Sequence, residues 1–146
     1  MRAIFLAIGL LAAATTQAAN CTIDLKADDA MKFDKTEVTV SSSCKTVTIN
    51  LAHTGKLPVA SMGHNVVVAT SADVQPIATA GMSAGAPADY LPAGDKRVIA
   101  HTPLVGGGAS TSVSFPGNAL KAGGDYAFFC SFPGHFALMK GKLVVQ

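Results

Sequence analysis

The chain of 146 residues carries 11 Lys and Arg against 9 Asp and Glu, a formal net charge of +2 with 14% charged residues. A balance this even, with no acidic or basic run, excludes nucleic-acid or membrane-surface binding driven by charge. Hydrophobic residues make up 49%, enough for a chain of one-domain size to bury a core without heavy cross-linking.

In chain order, Met1-Arg2 leads into an apolar run from Ala3 to Ala14, interrupted only by Gly9, and then into small residues up to Ala19. This pattern predicts a secretory signal peptide over 1–18, with cleavage after Ala18 or, alternatively, after Ala19. The run falls short of the roughly 20 residues a bilayer span needs. Residues 19–146 then read as one domain of short strands. Cys21–Leu25 and Glu37–Ser41 alternate in polarity, and Lys45–Leu51 does so most cleanly, with Val47, Ile49 and Leu51 on one face and Thr46, Thr48 and Asn50 on the other. Further strands are predicted at Asn65–Ala69, Arg97–His101, Ser110–Phe115, Asp125–Ser131 and Lys142–Val145. Gly55, Pro58, Gly106–Gly108, Pro116-Gly117 and Gly123-Gly124 punctuate them. Ser71 to about Gly85 is Ala-rich and reads as a short helix, with Ser71 as N-cap, Asp73 in the first turn, and Pro76 limiting its regularity. About eight strands with one helical insertion predict an all-β Greek-key β-sandwich or barrel.

The chain has 3 cysteines, an odd count for a secreted protein. Cys21 and Cys44 lie near the mature N-terminus beside strand-like sequence, and an oxidising compartment favours their pairing. Cys130 then stays unpaired. A secreted free thiol is an oxidation hazard unless a metal holds it. The sequence around it runs Cys130-Ser-Phe-Pro-Gly-His135-Phe-Ala-Leu-Met139, placing thiol, imidazole and thioether on one short loop. With a second imidazole from Gly63-His64-Asn65, these are the donors of a mononuclear copper site: two His, one Cys and a weak axial Met.

Gly63-His64-Asn65 followed by Cys-x4-His-x3-Met resembles the azurin branch of the blue-copper cupredoxin family. The likeness extends over the whole mature chain, through the early cysteine pair, the Ala-rich insertion, the Arg97–Thr102 segment and the terminal Leu138-Met-Lys-Gly141. The Cys-to-His gap is longer than in plastocyanin-like relatives. The resemblance implies a cupredoxin-like domain holding one type 1 copper ion on His64, Cys130, His135 and Met139, with the backbone carbonyl of Gly63 as a weak fifth contact. It implies that Asn65 and Ser131 tie the ligand loops together and that the amides of Asn65 and Phe132 point at the thiolate. It also implies an apolar docking patch of Leu57, Met62, Met82, Phe132, Pro133, Ala137 and Leu138 around a partly exposed edge of His135. The function that follows is single-electron transfer in the periplasm by a monomer, not an enzyme. Its partners are redox proteins: a c-type cytochrome, or a periplasmic reductase or dehydrogenase.

Other residues take plainer roles. Most methionines pack, and Met31, Met62 and Met82 are read as packing or patch residues rather than ligands. His53 ends the alternating strand and is expected to pack inside, while His101 is expected at the surface. Gly106–Gly108 is no phosphate loop, since neither the Gly-Lys-Ser/Thr step nor a helix follows. The chain has no Trp, and Val66 stands where some family members carry a buried one. Phe136 directly follows His135, where family members vary in size, and its effect on the docking patch is left open. An alternative role in copper handling or storage would favour exposed Met- or His-rich tracts, which the chain lacks. Catalytic copper would need more histidines, and structural zinc disfavours a Met donor.

Overall fold

The structure, a computed structural model, describes residues 19–146; the predicted signal peptide lies outside the described residues. Nine strands and two short α-helices form in the described chain. β1 (Thr22–Asp28), β2 (Lys32–Phe33), β4 (Thr46–His53) and β7 (Ser110–Pro116) make one sheet in the order β2-β1-β4-β7. β3 (Glu37–Val40), β5 (Val67–Thr70), β6 (Ala100–His101), β8 (Tyr126–Phe129) and β9 (Lys140–Val145) make the other, in the order β3-β9-β8-β5-β6. β1 runs parallel to β4 and β3 parallel to β9, whereas β4–β7, β5–β8 and β8–β9 are antiparallel. The architecture is the expected Greek-key sandwich, with β2, too short at two residues to show a period, added to the predicted strands, and the strand predicted at Arg97–His101 reduced to its last two residues.

Alternation decides what enters the core. Ile23, Leu25 and Ala27 of β1 and Val47, Ile49 and Leu51 of β4 point between the sheets. The same period carries His53 inside at the end of β4, where it is 2% exposed. β5 and β8 break the alternation: Val67, Val68 and Ala69, and Tyr126 to Phe129, are all buried. Strands covered on both faces read as continuous apolar runs. The second cover here is α2 (Val74–Gly81), whose Val74, Ile77 and Ala78 pack with Val67, Ala69, Leu91, Ala127 and Phe129.

The helical insertion departs from expectation in its start. Ser71 is not an N-cap; it lies in a 3-10 turn, Ser71–Asp73, and its hydroxyl donates to Asp125 Oδ1 at 2.7 Å. That turn runs straight into α2, so its carbonyls serve the first helical amides and no side-chain cap forms. Pro76 is the third residue of α2, within the first turn, where a proline is tolerated. A second helix, α1 (Val59–Met62), follows Pro58 where only a turn was expected. His101 is at the surface, as expected.

Cys21 and Cys44 form a disulfide, with Cα atoms 5.6 Å apart, that ties the start of β1 to the turn before β4. Closing a loop of this length removes chain entropy from the unfolded state. Replacing both cysteines by Ser is expected to lower unfolding stability by about 3 kcal/mol, read as a reduced denaturant midpoint, while the cluster around Cys130 is retained. An unchanged midpoint would show that the bridge contributes nothing to the fold.

Candidate metal centre

The site is built at one end of the sandwich from the ends of paired strands. Phe129 lies opposite Lys140 in the β8–β9 ladder. One step further along, the Cys130 amide donates to the Met139 carbonyl at 3.0 Å. Cys130 and Met139 therefore close the mouth of a hairpin loop, and the alternation that turns Phe128 inward turns Cys130 inward too. Within the loop Gly134 adopts φ +82°, a left-handed turn that brings His135 back over the mouth. The His135 amide donates to Phe132 O at 2.9 Å, and the His135 carbonyl accepts from the amides of Leu138 and Met139. His64 arrives from the other direction, just before β5, held by reciprocal backbone hydrogen bonds with Val105 at 3.0 and 2.9 Å.

These elements place Cys130 Sγ 3.9 Å from His64 Nδ1 and 3.6 Å from His135 Nδ1. The three donor atoms lie within 4.8 Å of one another. Metal–sulfur and metal–nitrogen bonds of about 2.3 and 2.0–2.1 Å, spread at roughly 120°, put S and N about 3.8 Å apart. The spacing fits one metal ion among the three donors. Cys130 and His64 are fully buried, and His135 is 4% exposed, a narrower edge than the sequence led one to expect. Met139 is also fully buried at the loop mouth, and the Gly63 carbonyl is 3.8 Å from Sγ.

Hydrogen bonds settle which nitrogen faces the thiol. His64 Nε2–H donates to the Asp28 carbonyl at 2.8 Å, leaving Nδ1 with its lone pair toward Sγ. His53 stacks on the His64 ring at 4.3 Å between centroids. Its Nε2–H donates to Met62 O, and its Nδ1 accepts from the Gly55 amide. Asn65 and Ser131 join as expected: Asn65 Nδ2 donates to Ser131 Oγ at 2.8 Å, and the Ser131 amide donates to Asn65 Oδ1 at 2.9 Å. Ser131 Oγ in turn donates to the Asp89 carbonyl at 2.6 Å. Thr102, fully buried, accepts from the Val66 amide. The sequence did not mark Asp89, Thr102 or the Asp28 carbonyl. The two carbonyls are backbone acceptors with no residue signature, and a threonine in a loop has too many ordinary uses to stand out.

Burial dominates the electrostatics. It lowers His135 from 6.5 to about 4, helped by the neighbouring His64, and lowers His64 as well against the opposing Asp28 carbonyl. It raises Cys130 from 9.0 to about 11, although the Asn65 and Phe132 amides pull the other way. Those amides are the two expected to face the sulfur. The metal-free site thus prefers every donor neutral.

Around the loop Leu57, Val59, Met82 and Leu138 are exposed by 42, 45, 49 and 69%, with Pro133 and Ala137 exposed and Met62 and Phe132 half-buried. Val59 joins this rim through the unexpected α1. Phe136 does not belong to it. It packs against the cluster under α2, because the 3-10 turn His135–Ala137 sends successive side chains to different sides. It seats the ligand loop on the helix rather than reshaping the rim.

A Greek-key sandwich whose end carries a buried His-Cys-His cluster of this spacing defines the class of mononuclear copper proteins. The family model for copper-binding proteins of the plastocyanin/azurin family matches residues 19–146, and the chain belongs to that family. Within it the similarity is to azurins. The chain is 54% identical over 123 residues to the azurin of Alcaligenes faecalis, covering 84% of this chain and 96% of that one. It is 49% identical over 136 residues to the azurin of Pseudomonas aeruginosa, covering 93% and 92%. A solved azurin, Az-iso2 of Methylomonas sp. strain J, superposes with a TM-score of 0.83 at 44% identity, over 88% of this chain and 99% of that one. The cofactor is copper, with His64, Cys130 and His135 positioned to bind one ion.

The shifted groups set a pH profile for the metal-free protein. Between pH 4 and 6.5 the unfolded chain takes a proton at His135 that the folded one refuses, so this contribution to stability grows as pH rises through that window. Between pH 9 and 11 the folded chain keeps the Cys130 proton that the unfolded one releases, so stability falls again. Urea unfolding in the presence of a chelator is expected to be most resistant between about pH 6.5 and 9. Loading Cu(II) near pH 7.5 is expected to release about one proton per ion, from Cys130. Release near zero, measured in weak buffer, would contradict the assignment of the thiol as ligand.

Proposed function

We propose that this protein is a periplasmic electron carrier that passes single electrons between redox proteins through a type 1 copper centre. The observation that carries the reading is the buried trio of Cys130 Sγ, His64 Nδ1 and His135 Nδ1, all within 4.8 Å. Copper, when bound, supplies the one-electron Cu(II)/Cu(I) couple. Cys130 would hold the ion as thiolate and His64 and His135 as imidazole donors, with the Met139 thioether and the Gly63 carbonyl as weaker contacts.

The chain's own part is to hold these donors still. A site that keeps its geometry in both oxidation states needs little rearrangement to gain or lose an electron. The reciprocal Asn65–Ser131 hydrogen bonds, the His64–Asp28 bond and the Val105 bridge all act on residues next to a donor. His135, the donor nearest the surface, is the route for the electron. The apolar rim of Leu57, Met62, Val59, Met82, Pro133, Ala137 and Leu138 is the docking face for a c-type cytochrome or a periplasmic reductase or dehydrogenase. A small apolar contact suits a carrier that must leave its partner quickly. Secretion is supported by the leader-like sequence before Ala19 and by the Cys21–Cys44 disulfide. The protein acts as a monomer and converts no substrate of its own.

The storage alternative is disfavoured because the donors are buried rather than displayed on an exposed Met- or His-rich tract. Loading the purified protein with Cu(II) is expected to give an intense blue band and a narrow copper hyperfine splitting in electron paramagnetic resonance. A colourless product would overturn the reading. Cys130→Ser is expected to abolish the colour, and Met139→Leu to keep it with a changed potential. Leu138→Lys, at the most exposed of the large rim side chains, is expected to slow electron self-exchange about tenfold or more through like-charge repulsion at low salt. An unchanged rate would place the contact face elsewhere.

A further inference from the structure

Three non-glycine residues among those described have left-handed backbone: Met31 at φ 55°, Asp89 at 54° and Tyr90 at 51°. Such residues carry strain and persist only where their surroundings hold them. All three lie in turns that serve the ligand frame. Met31 belongs to the β1–β2 turn that offers the Asp28 carbonyl to His64 Nε2. Asp89 offers its own carbonyl to Ser131 Oγ at 2.6 Å and to Asn65 Nδ2 at 3.5 Å. Tyr90 sets its ring edge-on against Phe132 at 5.4 Å between centroids.

The Asp89-Tyr90 bend is held from several sides. The amides of Asp89 and Tyr90 donate to Ala86 O and Gly85 O at 2.9 and 3.0 Å. Asp89 Oδ1 accepts from the Leu104 amide at 2.9 Å, and Oδ2 faces His101 Nδ1 at 3.8 Å. The end of α2 presses on the bend from behind: a Cβ on Gly81 would collide with the Tyr90 carbonyl. The Asp89 carbonyl is therefore fixed in position, and both side chains that read it, Asn65 and Ser131, are direct chain neighbours of donors.

We propose that Asp89 is a positioning residue for the copper ligands. Its carboxylate, anchored on the Leu104 amide, holds the left-handed bend so that its carbonyl clamps Ser131 and Asn65, fixing the Cys130 and His64 loops relative to each other. The bend that follows the helical insertion thereby helps to set the geometry of the ligand loops. This inference rests on the copper reading above and names a further determinant of the same site.

Asp89→Gly keeps left-handed backbone accessible but removes the anchor, whereas Asp89→Asn keeps both the anchor's acceptor and the backbone tolerance. Asp89→Gly is expected to speed hydrogen exchange at the Ser131 amide in the metal-free protein. In the copper-loaded protein it is expected to shift the charge-transfer spectrum and to raise copper loss to a chelator about tenfold. Asp89→Asn is expected to match the parent in all three. Ser131→Ala deletes the hydroxyl that reads the carbonyl, and with it the acceptor of Asn65 Nδ2, and leaves the bend alone. It is expected to reproduce the spectral shift and faster copper loss, and the double variant to be no worse than the stronger single one. Parent-like exchange and spectrum in Asp89→Gly, or additive effects in the double variant, would overturn the proposal. If Asp89→Gly does not fold, parent-like spectrum and copper retention in Ser131→Ala overturn it instead. A parent protein that stays colourless would overturn the copper reading itself, while exchange in the metal-free variants still tests the clamp.

Discussion

The rest of the site depends on the pair of hydrogen bonds between Asn65 and Ser131. Each residue follows a donor directly in the chain, so two side-chain bonds under 3 Å couple two loops whose ends are far apart in sequence. The pair is buried, with Asn65 and Ser131 at 0 and 1% exposure, which gives these bonds their leverage. Breaking one would leave a buried amide or hydroxyl without a partner, a larger loss than the bond itself contributes. Relative movement of His64 and Cys130 is therefore opposed by desolvation as well as by bond strength.

The donors themselves meet a second constraint. Thiol and imidazoles are removed from water, and burial acts against each charged form: it raises Cys130 and lowers both histidines. The protein offsets this only in part, with two amides directed at the sulfur. A cation arriving among these donors supplies what the surroundings withhold from the thiolate. The same burial that makes these donors prefer neutrality makes them favour a metal that binds soft sulfur and imidazole together.

How far the sequence disclosed this arrangement depends on the reach of each signal. The inward face of β4 was legible from Val47, Ile49 and Leu51, and the same period correctly took His53 inside. Cys130 and His135 were legible because one hairpin loop carries both at a chemically restrictive spacing, and Met139 lies buried at the mouth of that loop. Asn65 and Ser131 could be placed only through the family likeness, since nothing local in either residue points to the other. Asp89 was not legible at all. Its role depends on a backbone carbonyl, which every residue has, and on a left-handed conformation imposed by contacts with Leu104, Ala86 and α2. The role of Phe136 was not legible for a related reason. Its position in the chain is next to His135, but the direction of its side chain is set by the 3-10 turn and by the apolar cluster waiting beneath α2.

The placement of Phe136 points to how the sandwich and its insertion share the work. β5 and β8 are buried on both faces, one by the opposite sheet and one by α2. Val66, Val68 and Cys130 belong to the inner cluster, Val67 and Phe129 to the outer, so the strands leading to the donors are gripped from both sides. Phe136 extends the outer grip to the ligand loop, and Asp89 extends it to the hydrogen bonds between the loops. The insertion is therefore not a decoration on a finished barrel. Without it, β5 and β8 would expose an apolar face, and the loops at their ends would be held only from within. Rigid elements position functional groups better than loops do. In this fold the donors sit on loops or strand ends, and the insertion lends those loops the stiffness of the sheet.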